Sequence, residues 1–303
     1  MDILRASERA IRAALAHQAY VQDRIRLVVR DLQDFDILVS SRNGLFAANS
    51  EGVALIAHGF FFGLHRHRDT VFVFESCGVP HSGIERGRIL ALDLEGDIIT
   101  ATRVIARDLD NQCHQLAVID NLVCVVDTAN QVIRRFTLDG TAVDVKTPLG
   151  IVRRGERTPR YRHINSIAHV AGAVVLMLHN GAGQTRRPSE LAWLDSDWRV
   201  THFETLAGYG CHDIVEDGEG VLWHCGSQDG ELLRSNGPAI SVSNQMTRGL
   251  APHRDGWVVG VSQFASRENR TTLGGLLVCL DHQHKPVREL QVDGAPTVII
   301  PIR

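Results

Sequence analysis

The sequence of 303 residues lacks the features of several large classes of protein. No stretch approaches the roughly 18 uninterrupted apolar residues of a transmembrane helix, so we expect no membrane partner. The start of the chain, Met-Asp-Ile-Leu-Arg, has no basic segment followed by an apolar run, unlike a signal peptide. The net charge of −3 leaves no positive surplus for a phosphate backbone, so we expect no nucleic-acid partner. These absences favour a cytoplasmic protein.

Several catalytic and metal-binding motifs are also absent. The six cysteines form no CxxC pair, and without an export signal they are expected to be reduced and mostly buried. The sequence contains no GxSxG motif, no glycine-rich phosphate-binding loop and no HExxH motif. Serine hydrolases of that type, nucleotide enzymes and zincins are therefore disfavoured.

Helical periodicity is confined to the N-terminal segment. In residues 4–20, apolar residues including Ile11 and Leu15 recur at helical spacing, and Ser7 can cap the start. We predict that residues 1–34 form a short N-terminal helix with its lead-in. This helix is a candidate contact for a homodimer.

After residue 34 the sequence consists of short apolar runs separated by turn signals such as Asn43-Gly44 and Asp139-Gly140, a pattern typical of antiparallel strands. Five segments of strand, tight turn and second strand superpose, and they start at Phe62, His114, Asn165, His212 and Arg248. The starts lie 36 to 52 residues apart, which is the length of one four-stranded propeller blade.

The two ends of this region complete one another. The segments that begin at Asp36, Leu45 and Val53 resemble the last three strands of a blade, and the segment from Gly294 resembles a missing first strand. Joining them closes a sixth blade and leaves no open sheet edge. We therefore predict an all-β, six-bladed β-propeller as a single domain over residues 35–303, with five or seven blades as the alternatives.

One segment carries a family resemblance. Cys113-HQLAVIDNLVCVVDTANQVIRRFTLDG resembles an NHL repeat, with Asp127, Asn130 and Ile133 at its most characteristic positions. The resemblance implies an NHL-like six-bladed propeller. The chain is also distantly similar to peptidyl-hydroxyglycine amidating lyases, which are propellers of this type that hold zinc with histidines at the heads of innermost strands.

The lyase resemblance implies ligands at His114 and His212, which stand at that head position two blades apart. Alternate blades would place a third ligand near Thr297, where the sequence has no histidine, and His163 is the nearest substitute. We predict that His114, His163 and His212 bind a divalent transition metal, with zinc favoured, copper or iron as alternatives and calcium less favoured. The alternative is that these histidines only cap neighbouring backbone.

The first strands of all blades line the tunnel of a propeller, and the second strands end on the face where the first strands begin. This face is called the top face below. The residues at the heads of the first strands form one ring there. The second strands contribute a further ring, called the second ring below: Glu75, Asp127, His179, Gly226 and Ser262. Asp127 belongs to the Asp-Thr-x-Asn turn, which favours a structural role.

Charged and phenolic residues on the top face suggest a substrate site. Guanidinium groups match carboxylates or phosphates in a bidentate manner, and arginines are concentrated in three loops on this face. The predicted substrate-binding residues are Arg248, Arg162, Asn165, Asp213 and Arg267. The predicted proton-transfer residues are Tyr161, Tyr209 and Glu75.

Two functions fit these residues. The first is a metal-dependent enzyme of lyase, hydrolase or isomerase type, acting on a small anionic metabolite or a peptide-like substrate at the centre of the top face. The second is a non-catalytic propeller that binds a protein or another ligand on the same face. Fold alone does not choose between them.

Overall fold

The computed structural model describes residues 10–11, 14–15, 17–18, 20–77, 86–152, 160–181, 187–254, 256–264 and 273–302. The strands in these residues are β1 (Arg26–Leu27), β2 (Ile37–Ser41), β3 (Gly44–Ala48), β4 (Val53–His58), β5 (Phe61–His67), β6 (Thr70–Ser76), β7 (Gly87–Glu95), β8 (Ile98–Leu109), β9 (Cys113–Ile119), β10 (Leu122–Asp127), β11 (Val132–Thr137), β12 (Ala142–Lys146), β13 (Ile164–Val170), β14 (Ala173–Leu178), β15 (Glu190–Leu194), β16 (Val200–Thr205), β17 (His212–Glu216), β18 (Leu222–Gly226), β19 (Glu231–Arg234), β20 (Ile240–Ser241), β21 (Met246–His253), β22 (Gly256–Ser262), β23 (Gly275–Leu280), β24 (Pro286–Val292) and β25 (Pro296–Pro301).

These strands form six antiparallel sheets, which are the blades of a propeller. Blades one to five are β5–β8, β9–β12, β13–β16, β17–β20 and β21–β24. Blade six joins both ends of the chain in the order β1-β4-β3-β2-β25. The inner strands β5, β9, β13, β17, β21 and β25 contact one another in a closed circle. The predicted six-bladed, all-β architecture is confirmed, including the closure by N- and C-terminal strands.

The hydrophobic core lies between the blades. Each of six apolar clusters contains residues from two neighbouring blades. Between blades one and two, for example, Phe74 and Ile89 pack with Val123 and Phe136. The middle strands are apolar on both faces because each blade is covered on both sides, as in β10, whose Val123, Val125 and Val126 are buried.

Hydroxyl groups join blade six to blade one at the tunnel. Thr297 Oγ1 lies 2.8 Å from Ser40 Oγ, so the hydroxyls of β25 and β2 are in contact. The same Thr297 oxygen is 3.1 Å from the carbonyl oxygen of Phe61 and 3.2 Å from that of Phe62, both in β5. Buried polar groups of this kind are costly unless they are paired, so these contacts specify the closed circle.

The lead-in before β2 joins the same two blades on the outside. β1 pairs with β4 of blade six, and the Leu32 amide donates to the carbonyl of Asp97 in blade one at 2.8 Å. Arg88 of β7 donates to the carbonyl oxygens of Gln22 and Arg24. The lead-in therefore bridges blades six and one.

The predicted N-terminal helix falls largely outside the described residues. Those described between residues 10 and 21 are helical, and the extent of a helix in residues 1–34 stays a prediction. In the part of the chain that the structure describes, no helix has the length and apolar character needed to cross a lipid bilayer. All six cysteines are free and buried, as expected for Cys113 and Cys211 in particular.

Candidate functional site

The start of each inner strand is irregular, and this shapes the top face. The pairing with the second strand shifts by one residue in every blade, within Phe61–Leu64, Cys113–Leu116, Ile164–Ser166, His212–Val215, Thr247–Leu250 and Pro296–Val298. A bulge of this kind re-aims side chains that regular alternation would send to a fixed face. The predicted ring residues at the heads of the strands lie in or beside these bulges.

Four histidines form a continuous arc on the top face. The ring centroids of His114 and His163 are 5.4 Å apart, those of His163 and His179 are 4.7 Å apart, and those of His179 and His212 are 5.4 Å apart. These residues come from blades two, three and four, and they are called the histidine arc below. The structure therefore brings together the three predicted metal ligands and adds His179, from the second ring, between two of them.

His114 and His212 are held by the same local contact. Nδ1 of His114 lies 2.8 Å from the carbonyl oxygen of Gln112, and Nδ1 of His212 lies 2.8 Å from that of Gly210. Each carbonyl belongs to the residue two positions earlier, and Ser227 Oγ adds a second partner for His212 Nδ1 at 2.9 Å. A carbonyl oxygen only accepts, so Nδ1 carries the proton and Nε2 holds a lone pair in each neutral ring.

Two arginines and a phenylalanine complete the site. The guanidinium groups of Arg42 and Arg248 both lie over the Phe62 ring, and the Phe62 and His114 rings are 5.8 Å apart. Arg42 and Arg248 are only 7% and 8% exposed. The histidine arc, the two arginines and Phe62 are together called the central ring below.

The charges of the central ring favour neutral imidazoles beside cationic arginines. Burial lowers the pKa of His114 and of His212 well below the usual range, and the positive charge of Arg248 lowers both further. Both imidazoles are therefore neutral at physiological pH, and the arginines carry the positive charge of the site.

Asp213 connects the inner strands of three neighbouring blades by hydrogen bonds. Its Oδ2 accepts a hydrogen bond from the Gly249 amide at 2.8 Å, and its own amide donates to Ser166 Oγ at 3.0 Å. Burial raises the pKa of Asp213 to about 6, while the Gly249 amide and the charge of Arg248 oppose that rise. Asn165 Nδ2 donates to the carbonyl of Cys211 at 2.8 Å. Asp213 and Asn165, which were both predicted to bind substrate, thus form hydrogen bonds to neighbouring blades.

Two residues of the site adopt left-handed backbone conformations. His163 has φ of 54° and Asp213 has φ of 66°. Such values cost non-glycine residues free energy, of order 1–3 kcal/mol in sparsely populated regions, and they cluster at functional sites. Histidine and aspartate are among the non-glycine residues that adopt this conformation most often.

The histidines of the predicted metal site have the hydrogen bonding of metal ligands, but they are not grouped as a metal site. Nε2 lone pairs on His114 and His212, with Nδ1 bound to a carbonyl, are the arrangement that metal-binding histidines show. Within the described ranges, however, no three histidine, cysteine, aspartate or glutamate side chains are grouped to hold a metal ion. The charge of Arg248 acts on both histidines and opposes a cation. The central ring as described does not fit a three-ligand metal centre, and the metal stays a prediction.

The predicted proton-transfer residues are placed differently from one another. Tyr161 belongs to the site, because its hydroxyl lies 3.2 Å from Nδ1 of His163. Tyr209 is half-buried, and its carbonyl accepts from the Gln228 amide at 3.3 Å. Glu75 is buried in an ion pair with Arg88 at 2.6 Å. Burial raises the pKa of Glu75 although Arg88 opposes the rise.

Among the other predicted arginines, Arg162 is bound within blade three. It forms an ion pair with Glu190, donates to Asn180 Oδ1 at 2.8 Å and lies over the Phe203 ring. Arg267 lies outside the described residues. The predicted substrate-binding roles of Arg162 and Arg267 and the proton-transfer roles of Glu75 and Tyr209 stay predictions.

The structural role expected for Asp127 fits its contacts. Its carboxylate accepts from the Asn130 amide at 3.2 Å and from Asn130 Nδ2 at 2.9 Å, and it pairs with Arg134 at 2.9 Å. These contacts hold the Asp-Thr-x-Asn turn between β10 and β11.

Sequence reasoning missed Arg42. It directly follows β2, the second strand of blade six, just as His179 directly follows β14, the second strand of blade three. The second ring therefore had a sixth member, which the Asn43-Gly44 turn signal concealed. The equivalence of the two positions was the available signal.

Comparisons with known proteins agree on the fold. No protein-family model matches the chain, and no curated protein is similar to it in sequence. A protein of unknown function from Bacteroides caccae matches with a TM-score of 0.62 and 13% identity over 89% of this chain and 100% of that chain. A structure of a nidogen/laminin complex matches with a TM-score of 0.62 and 11% identity, over 88% of this chain and 98% of that chain.

A third structure, from Thermus thermophilus, is assigned as an oxidoreductase (glucose dehydrogenase). It matches with a TM-score of 0.52 and 17% identity over 82% of this chain and 96% of that chain. At these identities the matches establish the propeller fold and no activity. The NHL and amidating-lyase resemblance stays a prediction.

Proposed function

We propose that the central ring binds a small anionic ligand, a carboxylate in particular, and that the protein is an enzyme of lyase, hydrolase or isomerase type acting on it. The observation that carries this proposal is the pair of guanidiniums over one phenylalanine, beside imidazoles whose pKa is lowered by burial and further by the charge of Arg248. A planar guanidinium binds carboxylate or phosphate by two parallel hydrogen bonds.

The imidazoles supply the chemistry that a binding module does not need. A histidine whose Nε2 lone pair is fixed by a backbone carbonyl at Nδ1 is suited to accept a proton from a bound ligand. His114 and His212 both meet this description. Tyr161, in contact with His163, is a further group for moving a proton.

Calorimetric titration with acetate, malonate and inorganic phosphate tests the binding. We expect binding by the wild type, and Arg42→Gln and Arg248→Gln should each weaken it about 10- to 100-fold, the range for losing a charge-assisted hydrogen bond. Arg199→Gln is the matched control, because Arg199 is 78% exposed and pairs with Asp197 across the surface. Equal affinity in all four proteins would contradict the proposal.

Turnover separates the enzyme from the binding module. We expect a screen of hydroxy acids, lactones and peptide derivatives to find a substrate whose conversion is lost in His212→Asn. Ligand binding without turnover of any of these compounds would instead favour the non-catalytic propeller.

The predicted metal has its own test, elemental analysis of wild type and His114→Ala/His212→Ala. One equivalent lost in the double variant would support it, and no metal after incubation with zinc, copper or iron would contradict it.

A further inference from the structure

His179 and His212 are neighbours in the histidine arc, but their backbone contacts fix opposite tautomers. Nδ1 of His212 faces the Gly210 carbonyl oxygen at 2.8 Å, so it must donate. Nδ1 of His179 lies 3.2 Å from the Gly181 amide nitrogen, so it must accept. Neither backbone group can exchange its role, because an amide only donates and a carbonyl only accepts. The neutral His179 ring therefore carries its proton on Nε2, and the neutral His212 ring carries none there.

One residue couples the positions of the two rings. Gly210, whose carbonyl binds His212, has φ of 58°, a left-handed conformation that glycine adopts without strain. A Cβ atom at this position would lie 3.0 Å from Nε2 of His179. The backbone that orients His212 thus packs directly against the His179 ring, and the centroids of the two rings are 5.4 Å apart.

The surroundings of Nε2 differ from those of Nδ1 in His212. Among the described residues, the hydrogen-bond partners of His212 are Gly210 and Ser227, and both of them bind Nδ1. Nε2 is thus the nitrogen of His212 that is left for a ligand of the central ring.

We propose that His179 and His212 form a fixed donor–acceptor pair for a small carboxylate with an adjacent carbonyl group, in which His179 Nε2–H donates a hydrogen bond and His212 Nε2 accepts a proton. The inference rests on the proposed function for the presence of the anion. Arg42 and Arg248 bind the carboxylate. The ligand C–H bond beside the carbonyl breaks, and its proton bonds to His212 Nε2. The electron pair remains on the ligand as an enolate, whose oxygen accepts the hydrogen bond from His179.

The division of labour follows from the tautomers. His179 keeps its proton, because a neutral imidazole that gave up Nε2–H would become a strongly basic anion, so it acts as a hydrogen-bond donor to the developing charge. His212 becomes an imidazolium, because the bound carboxylate offsets the charge of Arg248, which otherwise opposes a cation there. It returns its proton when the enolate is protonated at carbon. No oxidant, reductant or further reactant is needed.

Nitrogen-15 NMR of the full-length protein labelled at histidine tests the tautomers without any ligand. Two-bond nitrogen–proton correlations distinguish Nδ1–H from Nε2–H, and His179→Gln and His212→Asn assign the two signals. We expect an Nε2–H pattern for His179 and an Nδ1–H pattern for His212. His202→Gln is the control, since the exposed His202 stacks on Trp193 away from the ring. The same tautomer in both residues would overturn the pair.

Deuterium exchange tests the roles, with pyruvate as the probe. In deuterated buffer we expect the wild type to exchange the pyruvate methyl protons at least 10-fold faster than His212→Asn, whose amide retains the Nδ1-like donor toward Gly210. His179→Gln, which retains a donor near the Nε2 position, should keep more of the rate than His179→Ala. Equal rates in wild type and His212→Asn would overturn the base role. Calorimetry with malonate on the same samples separates that result from a failure to bind anions.

Discussion

The guanidinium carbon of Arg248 lies 6.0 Å from the centre of the Phe62 ring. Arg42 lies over the same ring at 5.7 Å, so one aromatic group stabilises two like charges. The two cations come from blades five and six, and Phe62 from blade one. Phe62 therefore contacts arginines from two other blades.

Phe62→Leu should weaken anion binding about 3- to 10-fold, because it removes the cation–π contacts that hold both arginines, each of about 0.5–2 kcal/mol. Calorimetry with malonate measures the change. Phe203→Leu is the matched control, since Phe203 lies under Arg162 at 5.3 Å but outside the central ring. An equal loss in both variants would show that Phe62 has no special role in binding.

Asp213→Asn should strengthen anion binding about threefold. The substitution removes a negative charge that acts on Arg248, while the amide oxygen can still accept from the Gly249 amide. Asparagine also tolerates the left-handed conformation of this residue. The affinity for malonate and the thermal midpoint should be measured together. Weaker binding by a variant with an unchanged midpoint would contradict the electrostatic argument.

Arg88→Met should destabilise the protein by about 3–5 kcal/mol, because it leaves the Glu75 carboxylate buried without its cation. In the variant, the pKa of Glu75 should rise further above its unfolded value. An acid with a raised folded pKa favours the folded state at low pH and loses that contribution as pH rises through the folded pKa. The destabilisation, measured by urea unfolding, should thus be larger at pH 8 than at pH 5.

The double variant Glu75→Gln/Arg88→Met is the control for that pH dependence. It removes the titrating group as well as the cation, so its stability relative to wild type should depend less on pH than that of Arg88→Met. A loss in Arg88→Met that is the same at both pH values would show that Glu75 is not the cause.

Thr297→Val should cost about 1–3 kcal/mol of unfolding free energy, because it leaves buried polar groups of Ser40, Phe61 and Phe62 without the threonine hydroxyl. Thr201→Val is matched in chemistry, because Thr201 lies on the exposed outer strand β16 and its hydroxyl donates to the Trp193 carbonyl of β15 at 3.0 Å. We expect the control to change stability by less than about 0.5 kcal/mol. Urea unfolding of both variants decides whether the tunnel hydroxyl has the larger effect.

The sequence predicts the propeller because its signals are local and repeated. Short apolar runs and turn residues recur at blade length, and the incomplete segments at Asp36 and Gly294 complement each other. The number of blades can be predicted without knowledge of contacts. Five segments predict five blades, and the two incomplete segments must join into one whole blade if the circle is to close. His114 and His212 could be placed on the top face for the same reason.

The contents of the site were less predictable because each inner strand bulges where the site begins. A one-residue shift changes which face a side chain occupies, so alternation cannot be extended through it. Glu75 stands at the end of a second strand, yet it binds Arg88, a pairing between β6 and β7 that the repeat pattern does not specify. Arg42 was not predicted as a site residue because it stands beside a turn signal, yet it belongs to the central ring.

The closure of blade six also determines when the site can exist during synthesis. β25 is the last of the described strands in chain order, and it supplies the inner strand of blade six, which packs against β5 and β21. Phe62 and Arg42 are translated early, but Arg248 follows Phe62 by 186 residues, and Thr297, which contacts the Phe62 carbonyl, follows it by 235 residues. A nascent chain that lacks β25 thus has an open row of blades, and the circle of blades around the central ring closes only after β25 has been made.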